Sequence, residues 1–141
     1  MTDSISFFVK GIPVPKGSMS VIPVGGSGWR VIHDNPRLRK WSRAVADEAG
    51  RHAFPSAFVY PCEVLLAFYF ERPKTVKRIW PVGKEGDLDK LIRAIFDGLT
   101  KGGVVSDDRI IVKCSAEKHY TTPQMTPGVS VVVRALEDGH E

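Results

Sequence analysis

The sequence predicts an α+β fold in two layers, a mixed β-sheet with two main helices packed on one of its faces. Three observations lead there. Segments rich in β-branched and aromatic residues, among them "ISFFVKG", "CEVLLAFYFE" and "GVSVVVRAL", alternate with two stretches of helical period. The element order reads β, β-hairpin, α, β, α, β, β, which sets the helices between strands rather than in a bundle of their own. The length of 141 residues suits a single domain over 1–141 with one core, and 43% apolar with 26% charged residues is ordinary for a globular chain.

Each element has its own signal. "ISFFVKG" (5–11) is a first strand, and "IPVPKGS" then turns, because each proline fixes φ and removes a backbone donor. "MSVIPV" and "GWRVIH" are two short strands across "GGSG". A helix runs from about Pro36 to His52, capped by Asp34 or Asn35 with proline in its first turn. Its Leu38, Trp41, Ala44, Val45 and Ala49 share a face. The near-continuous apolar run at 62–71 predicts a central strand. In the second helix Leu88, Leu91, Ile92, Ile95, Phe96 and Leu99 form one apolar stripe, and Gly102 or Gly103 supplies the left-handed cap. Segments 109–121 and 128–136 are two more strands, read as antiparallel neighbours across "TPQMTPG".

Composition excludes several classes. No apolar run approaches the roughly 20 residues that span a bilayer, so no membrane partner is expected. The N-terminus lacks a basic region followed by a long apolar stretch, so no signal peptide is read there. Cys62 and Cys114 lie in strand-like segments without metal or redox spacing, which predicts two buried free thiols in a reducing cytoplasm. The net charge of +4 is unevenly placed. Segment 72–84 carries Arg72, Lys74, Lys77, Arg78 and Lys84 with no acid, and segment 37–43 carries four basic residues around Trp41. Basic clusters holding an aromatic suit a phosphate backbone, although for the charge alone a solvated loop and helix face is the favoured explanation.

Against that background "GDLDKLIRAIFDGLTKGGVVSDDR" (86–109) gathers five aspartates. Asp87 stands where a helix cap belongs, Asp89 lies in the first turn, and Arg93 and Asp97 follow Asp89 at i+4 and i+8. Capping, dipole complementation and i,i+4 pairing account for these residues singly. They do not account for a further pair, Asp107 and Asp108, directly before a strand. If the chain after the helix returns to the helix start, Asp108 converges on Asp87 and Asp89. Three such carboxylates suit a hard cation such as Mg²⁺, which activates water and neutralises charge on a phosphate. The pattern is not an EF-hand, since Leu91 and Ile92 follow Lys90, and no P-loop, dinucleotide glycine pattern, G-x-S-x-G or HExxH occurs. His33 and His119 read as surface or strand-end residues. The residues alone therefore point to an acidic metal site beside a basic loop.

"DLDKLIRAIFDGLTKGGVVSDD" resembles the signature region of the RusA family of Holliday-junction resolvases, and "GIPVPKGS" is similar to a turn many members carry. The family pattern runs D-L-D-N, a lysine four residues after the second aspartate, F-D-A-L-T, a glycine-containing break and D-D. The resemblance implies a small homodimeric endonuclease, common in phages and prophages, that cuts four-way DNA junctions with Mg²⁺, Mn²⁺ being a possible substitute. By position, Asp87, Asp89 and Asp108 match the catalytic, metal-binding aspartates. Asp107 matches the first residue of the D-D pair, and Asp97 the aspartate of F-D-A-L; both belong beside the ligands rather than among them. Two positions depart. Arg93 stands in place of the catalytic lysine, and Lys90 in place of asparagine. Arginine keeps the charge that stabilises a phosphorane-like transition state but does not give up a proton at neutral pH. Lys90, at i+3 from Asp87, is placed to lend a cation instead.

The expected function is resolution of branched DNA by paired nicking, through hydrolysis by metal-activated water, in recombination or repair within a bacterial or phage-infected cytoplasm. Lys16, Lys74, Lys77, Arg78, Lys84 and Lys90 are the expected DNA contacts. One alternative is a protein that binds branched or single-stranded DNA without cutting it, its chemistry lost with the lysine. Another is a structural basic domain whose acids serve only as caps.

Overall fold

The computed structural model describes residues 3–17, 20–25, 28–32 and 35–136. In chain order the elements are β1 (Ser4–Lys10), β2 (Ser20–Val24), β3 (Gly28–Ile32), α1 (Pro36–His52), β4 (Cys62–Phe70), α2 (Leu88–Lys101), a 3-10 turn at Asp108–Ile110, β5 (Ile111–Tyr120) and β6 (Gly128–Ala135). The main sheet has the order β1-β6-β4-β5, and β2 pairs with β3 as a separate antiparallel hairpin. This is the expected mixed sheet with two helices.

β4 is central, as its apolar run requires. It pairs antiparallel with β6 and parallel with β5. β5 and β6 are therefore not neighbours, contrary to the sequence reading, which took their short connection for a hairpin. A strand with apolar residues on both sides of its pleat needs a partner at each edge, and β5 and β6 supply one each.

The core collects on one face. The sheet rows Ile5–Val133–Val64, Phe7–Val131–Leu66 and Val9–Val129–Phe68 are all buried. Onto them pack Trp41, Val45 and Ala49 of α1 and Leu91, Ile95 and Leu99 of α2. Trp41 is thus core, 3% exposed, and not part of a nucleic-acid face. Asn35 caps α1 by accepting a bond from the Arg37 N–H at 3.0 Å; Asp34, the other candidate, and His33 lie outside the described residues. Gly103, at φ +81°, makes the left-handed turn that ends α2, while Gly102 stays right-handed. Cys62 is buried as expected, but Cys114, on the edge strand β5, is exposed. No helix among the described residues is long and apolar enough to cross a membrane.

The opposite face of the sheet is uncovered, and its two ends differ in character. At one end Glu63, only 8% exposed, accepts a bond from Arg134 and lies 3.7 Å from Lys113. At the other end lie Phe8, Tyr69 and His119.

Two predictions concern this frame. The helices meet closely at Gly98, where an added methyl would lie 2.3 Å from Val45 Cγ1. Gly98→Ala should lower the unfolding free energy in a denaturant titration by about 2 kcal/mol, overpacking outweighing the gain in helix propensity. Gly50→Ala, whose methyl meets only Gly102 O at 3.6 Å, should not. At Glu63 the bond from Arg134, seconded by the Arg134 and Lys113 charges, outweighs desolvation and holds the carboxyl below its usual range. A lowered native pKa contributes stability above the unfolded value and loses it as pH falls through the native one. Thermal melts should therefore show Glu63→Gln less stable than the native protein at neutral pH, with the gap closing below about pH 4.

Candidate active site

α2 begins where the apolar stripe begins, and Asp87 holds its N-cap position with extended backbone (φ −74°, ψ 137°). Yet the Asp87 side chain makes no capping hydrogen bond. An aspartate at this position ordinarily accepts from the N–H two or three residues on. Here the carboxylate is 75% exposed, with the Lys90 ammonium 3.9 Å away. Capping therefore does not explain Asp87. Asp89, one helical residue further, is exposed beside it.

The proline-rich turn after β1 buttresses this helix start. The Lys16 N–H donates to the Lys90 carbonyl at 3.0 Å, and the Lys16 ammonium is paired with the Asp97 carboxylate. Gly86, at φ +103°, lies directly under Pro15, whose Cγ would be 2.8 Å from an added methyl. From the other side Lys118 on β5 donates to the Gly86 carbonyl at 2.9 Å. Lys16, expected to contact DNA, is thus drawn into positioning α2, and Asp97 serves as its partner. No ion pair joins Arg93 to Asp89 or Asp97 among the described residues, and Arg93 is exposed on the same helix. Its guanidinium is not consumed by an intrahelical pair.

Asp108 lies elsewhere. After α2, Val104 and Val105 are buried and bridge to Phe58, just ahead of β4. Asp107 then accepts a bond from the Arg109 N–H at 2.9 Å, capping the 3-10 turn that Asp108 opens. That turn leads into Ile111, opposite Cys62 at the start of β4. Gly86, by contrast, is held by Lys118, opposite Phe68 near the end of β4. Seven residues of strand separate the two positions, roughly 20 Å. The chain therefore does not bring Asp108 onto Asp87 and Asp89 as the sequence reading supposed. Carboxylates suit a hard divalent cation, but among the described residues no three acidic, histidine or cysteine groups are gathered to hold one.

The basic loop joins β4 to α2 and ends at the acidic pair. Lys74, Lys77, Arg78 and Lys84 are all exposed, while Arg72 stacks over the Tyr120 ring at 4.8 Å. Val76 and Pro81 anchor the loop. Between them Trp80, 53% exposed, lies 5.5 Å from the His119 ring. The sequence reading did not single out Trp80, although an aromatic among five cations was there to be seen.

The chain itself matches a known family along most of its length. The family model described as Endodeoxyribonuclease RusA covers residues 10–134. The chain belongs to the RusA endodeoxyribonuclease family. A relative, the Crossover junction endodeoxyribonuclease RusA of Aquifex aeolicus (strain VF5), is 22% identical over 135 residues, covering 96% of this chain and 94% of the relative. The RusA match begins at residue 10 and so takes in the proline-rich turn that braces α2.

The Lys16–Asp97 pair can be weighed by a double-mutant cycle. Lys16→Ala and Asp97→Ala should each destabilise slightly, and the double variant little more than either, giving a coupling of about 0.5 kcal/mol in denaturant unfolding.

Proposed function

We propose that this chain is a divalent-metal-dependent, homodimeric endodeoxyribonuclease that resolves four-way DNA junctions by paired nicks, within the cytoplasm of a bacterial or phage-infected cell. The observation that carries the reading is Asp87: an N-cap aspartate that caps nothing, exposed beside Asp89 at the end of a loop whose stretch 72–84 holds five cations and no acid. Family membership and the name of the Aquifex relative support a nuclease acting at crossover junctions.

Asp87, Asp89 and Asp108 are the residues that would hold Mg²⁺ or Mn²⁺. Such an ion supplies an activated water and charge neutralisation at the scissile phosphate. The chain's own groups do the rest. Lys74, Lys77, Arg78 and Lys84 hold the flanking backbone from the loop. Arg93, one turn into α2 and unpaired with its acidic neighbours, meets charge developing on the phosphoryl oxygens. Lys90 balances Asp87 at 3.9 Å.

The separation of Asp108 from the other two gives the dimer a chemical role. β5 is an edge strand of ten residues, exposed from 112 to 115, and an open edge of that length is a ready pairing surface. Two copies meeting antiparallel about the middle of β5 bring each Asp108 toward the helix start of the other copy. Each site then takes two carboxylates from one chain and the third from its twin.

Cleavage of a synthetic four-way junction tests both parts. The native protein should nick it in Mg²⁺ and not in EDTA, and Asp89→Asn and Asp108→Asn should each be inactive. Mixed into heterodimers, the two inactive variants should regain metal-dependent nicking, as single cuts, because one composite site is then whole. A mixture as inactive as its components would refute the shared site, and a native protein that binds junctions without cutting them would refute the nuclease.

A further inference from the structure

We infer that the uncovered face of the sheet carries an aromatic platform that stacks unpaired bases of the DNA at the end of the sheet where the acidic helix starts. The inference rests on the DNA-binding reading above and adds to it a means of telling branched from duplex DNA. Four rings lie in a row across all four strands and onto the basic loop. Phe8 and Tyr69 have centroids 6.5 Å apart, Tyr69 and His119 are stacked at 5.5 Å with planes 26° apart, and His119 and Trp80 are 5.5 Å apart. β6, which runs between β1 and β4, contributes Gly128 at this level, and a methyl there would lie 2.6 Å from Phe8 Cζ. The missing side chain is what lets Phe8 reach across toward Tyr69.

The row remains open. Trp80 is 53% exposed and Phe8 37% exposed, and Ile79 and Val82 beside Trp80 are more exposed still. The row stands at the sheet end where α2 begins, on the opposite face: Lys118, the residue before His119 and pointing to the helix side, bonds the Gly86 carbonyl ahead of Asp87. Its surroundings choose the occupant. The loop that carries Trp80 also carries Lys77 and Arg78, both exposed, and no acid from 72 to 84, while Glu117, on the same sheet face, lies 3.3 Å from His119 Nε2. A second copy seated face to face on this end would set one basic loop against another, whereas a nucleic-acid strand offers phosphates to the cations and π-faces to the rings. Base–aromatic stacking of this kind is tolerant of sequence. In an intact duplex those faces are stacked on one another; at a branch point they are within reach.

Fluorescence of 2-aminopurine placed at the branch point of a four-way junction, bound in EDTA so that nothing is cut, reads stacking directly. The native protein should change the emission of the junction and not that of a matched duplex. Trp80→Ala should lose most of that change, and its preference for junction over duplex should fall about tenfold, with the melting temperature unmoved. Trp80→Phe should keep both. Unchanged emission and preference in Trp80→Ala would overturn this inference alone, leaving the nuclease reading intact. A variant altered in self-association by sedimentation, but not in DNA binding, would overturn it in favour of a protomer interface. A native protein that binds neither DNA would overturn the inference and the proposed function together.

Discussion

The parallel pairing of β4 with β5 is the constraint from which the rest of the site follows. Two strands can lie side by side and parallel only if the chain between them travels back the full length of the sheet, and here α2 makes that return. The outgoing connection, the basic loop, must therefore sit at the far end of β4, and α2 must start there. The incoming connection, with Asp107 and Asp108, must sit at the near end. The loop and the first aspartates are together because they are consecutive on one side of the crossover. Asp108 is distant because it lies on the other side. A single choice of strand direction thus sets where both groups of aspartates lie.

Most of the fold was legible because it is written in short-range periodicity. α1 runs from Pro36 to His52, and α2 follows Asp87, where the proline and the apolar stripe place them. The centrality of β4 was legible in its composition. What periodicity does not carry is which strand pairs with which, and the seven-residue link between β5 and β6 invited a hairpin that β4 in fact interrupts. The convergence of the three aspartates failed for the same reason: it assumed that a chain leaving a helix comes back beside its start. The two tryptophans in basic surroundings show the same division. Trp41 belongs to the period of Val45 and Ala49 and is buried with them, whereas Trp80 belongs to no period, and a bulky aromatic outside any apolar pattern is the one left for solvent or a ligand.

The ion pairs around α2 separate supporting residues from acting ones. Asp97 and Lys16 satisfy each other and tie the proline-rich turn to the helix; Asp107 is occupied with its own turn. A carboxylate so engaged loses most of its capacity to take up a cation. Asp87, Asp89 and Asp108 remain exposed, and Asp87 has only a loose lysine contact. The proposed division between ligands and neighbours rests on that difference in engagement. Arg93, exposed and unpaired with Asp89 or Asp97, is left available by the same reasoning. A guanidinium in place of an ammonium changes what this position does with protons without removing its charge.

The shared site proposed above would also have a consequence for specificity. A four-way junction has two-fold character, and so does a closed dimer. If the third carboxylate comes from the second copy, a lone protomer on duplex DNA holds the backbone with its loop but has only two carboxylates to offer an ion. Coulomb repulsion among three close carboxylates opposes their meeting until a cation neutralises them, so assembly and metal binding favour one another. Under that proposal cutting would be confined to the state in which two chains and a divalent ion are present together. A basic loop that would bind any nucleic acid would then not make the protein an indiscriminate nuclease, and the arrangement that prevents it would begin with the direction of a single strand.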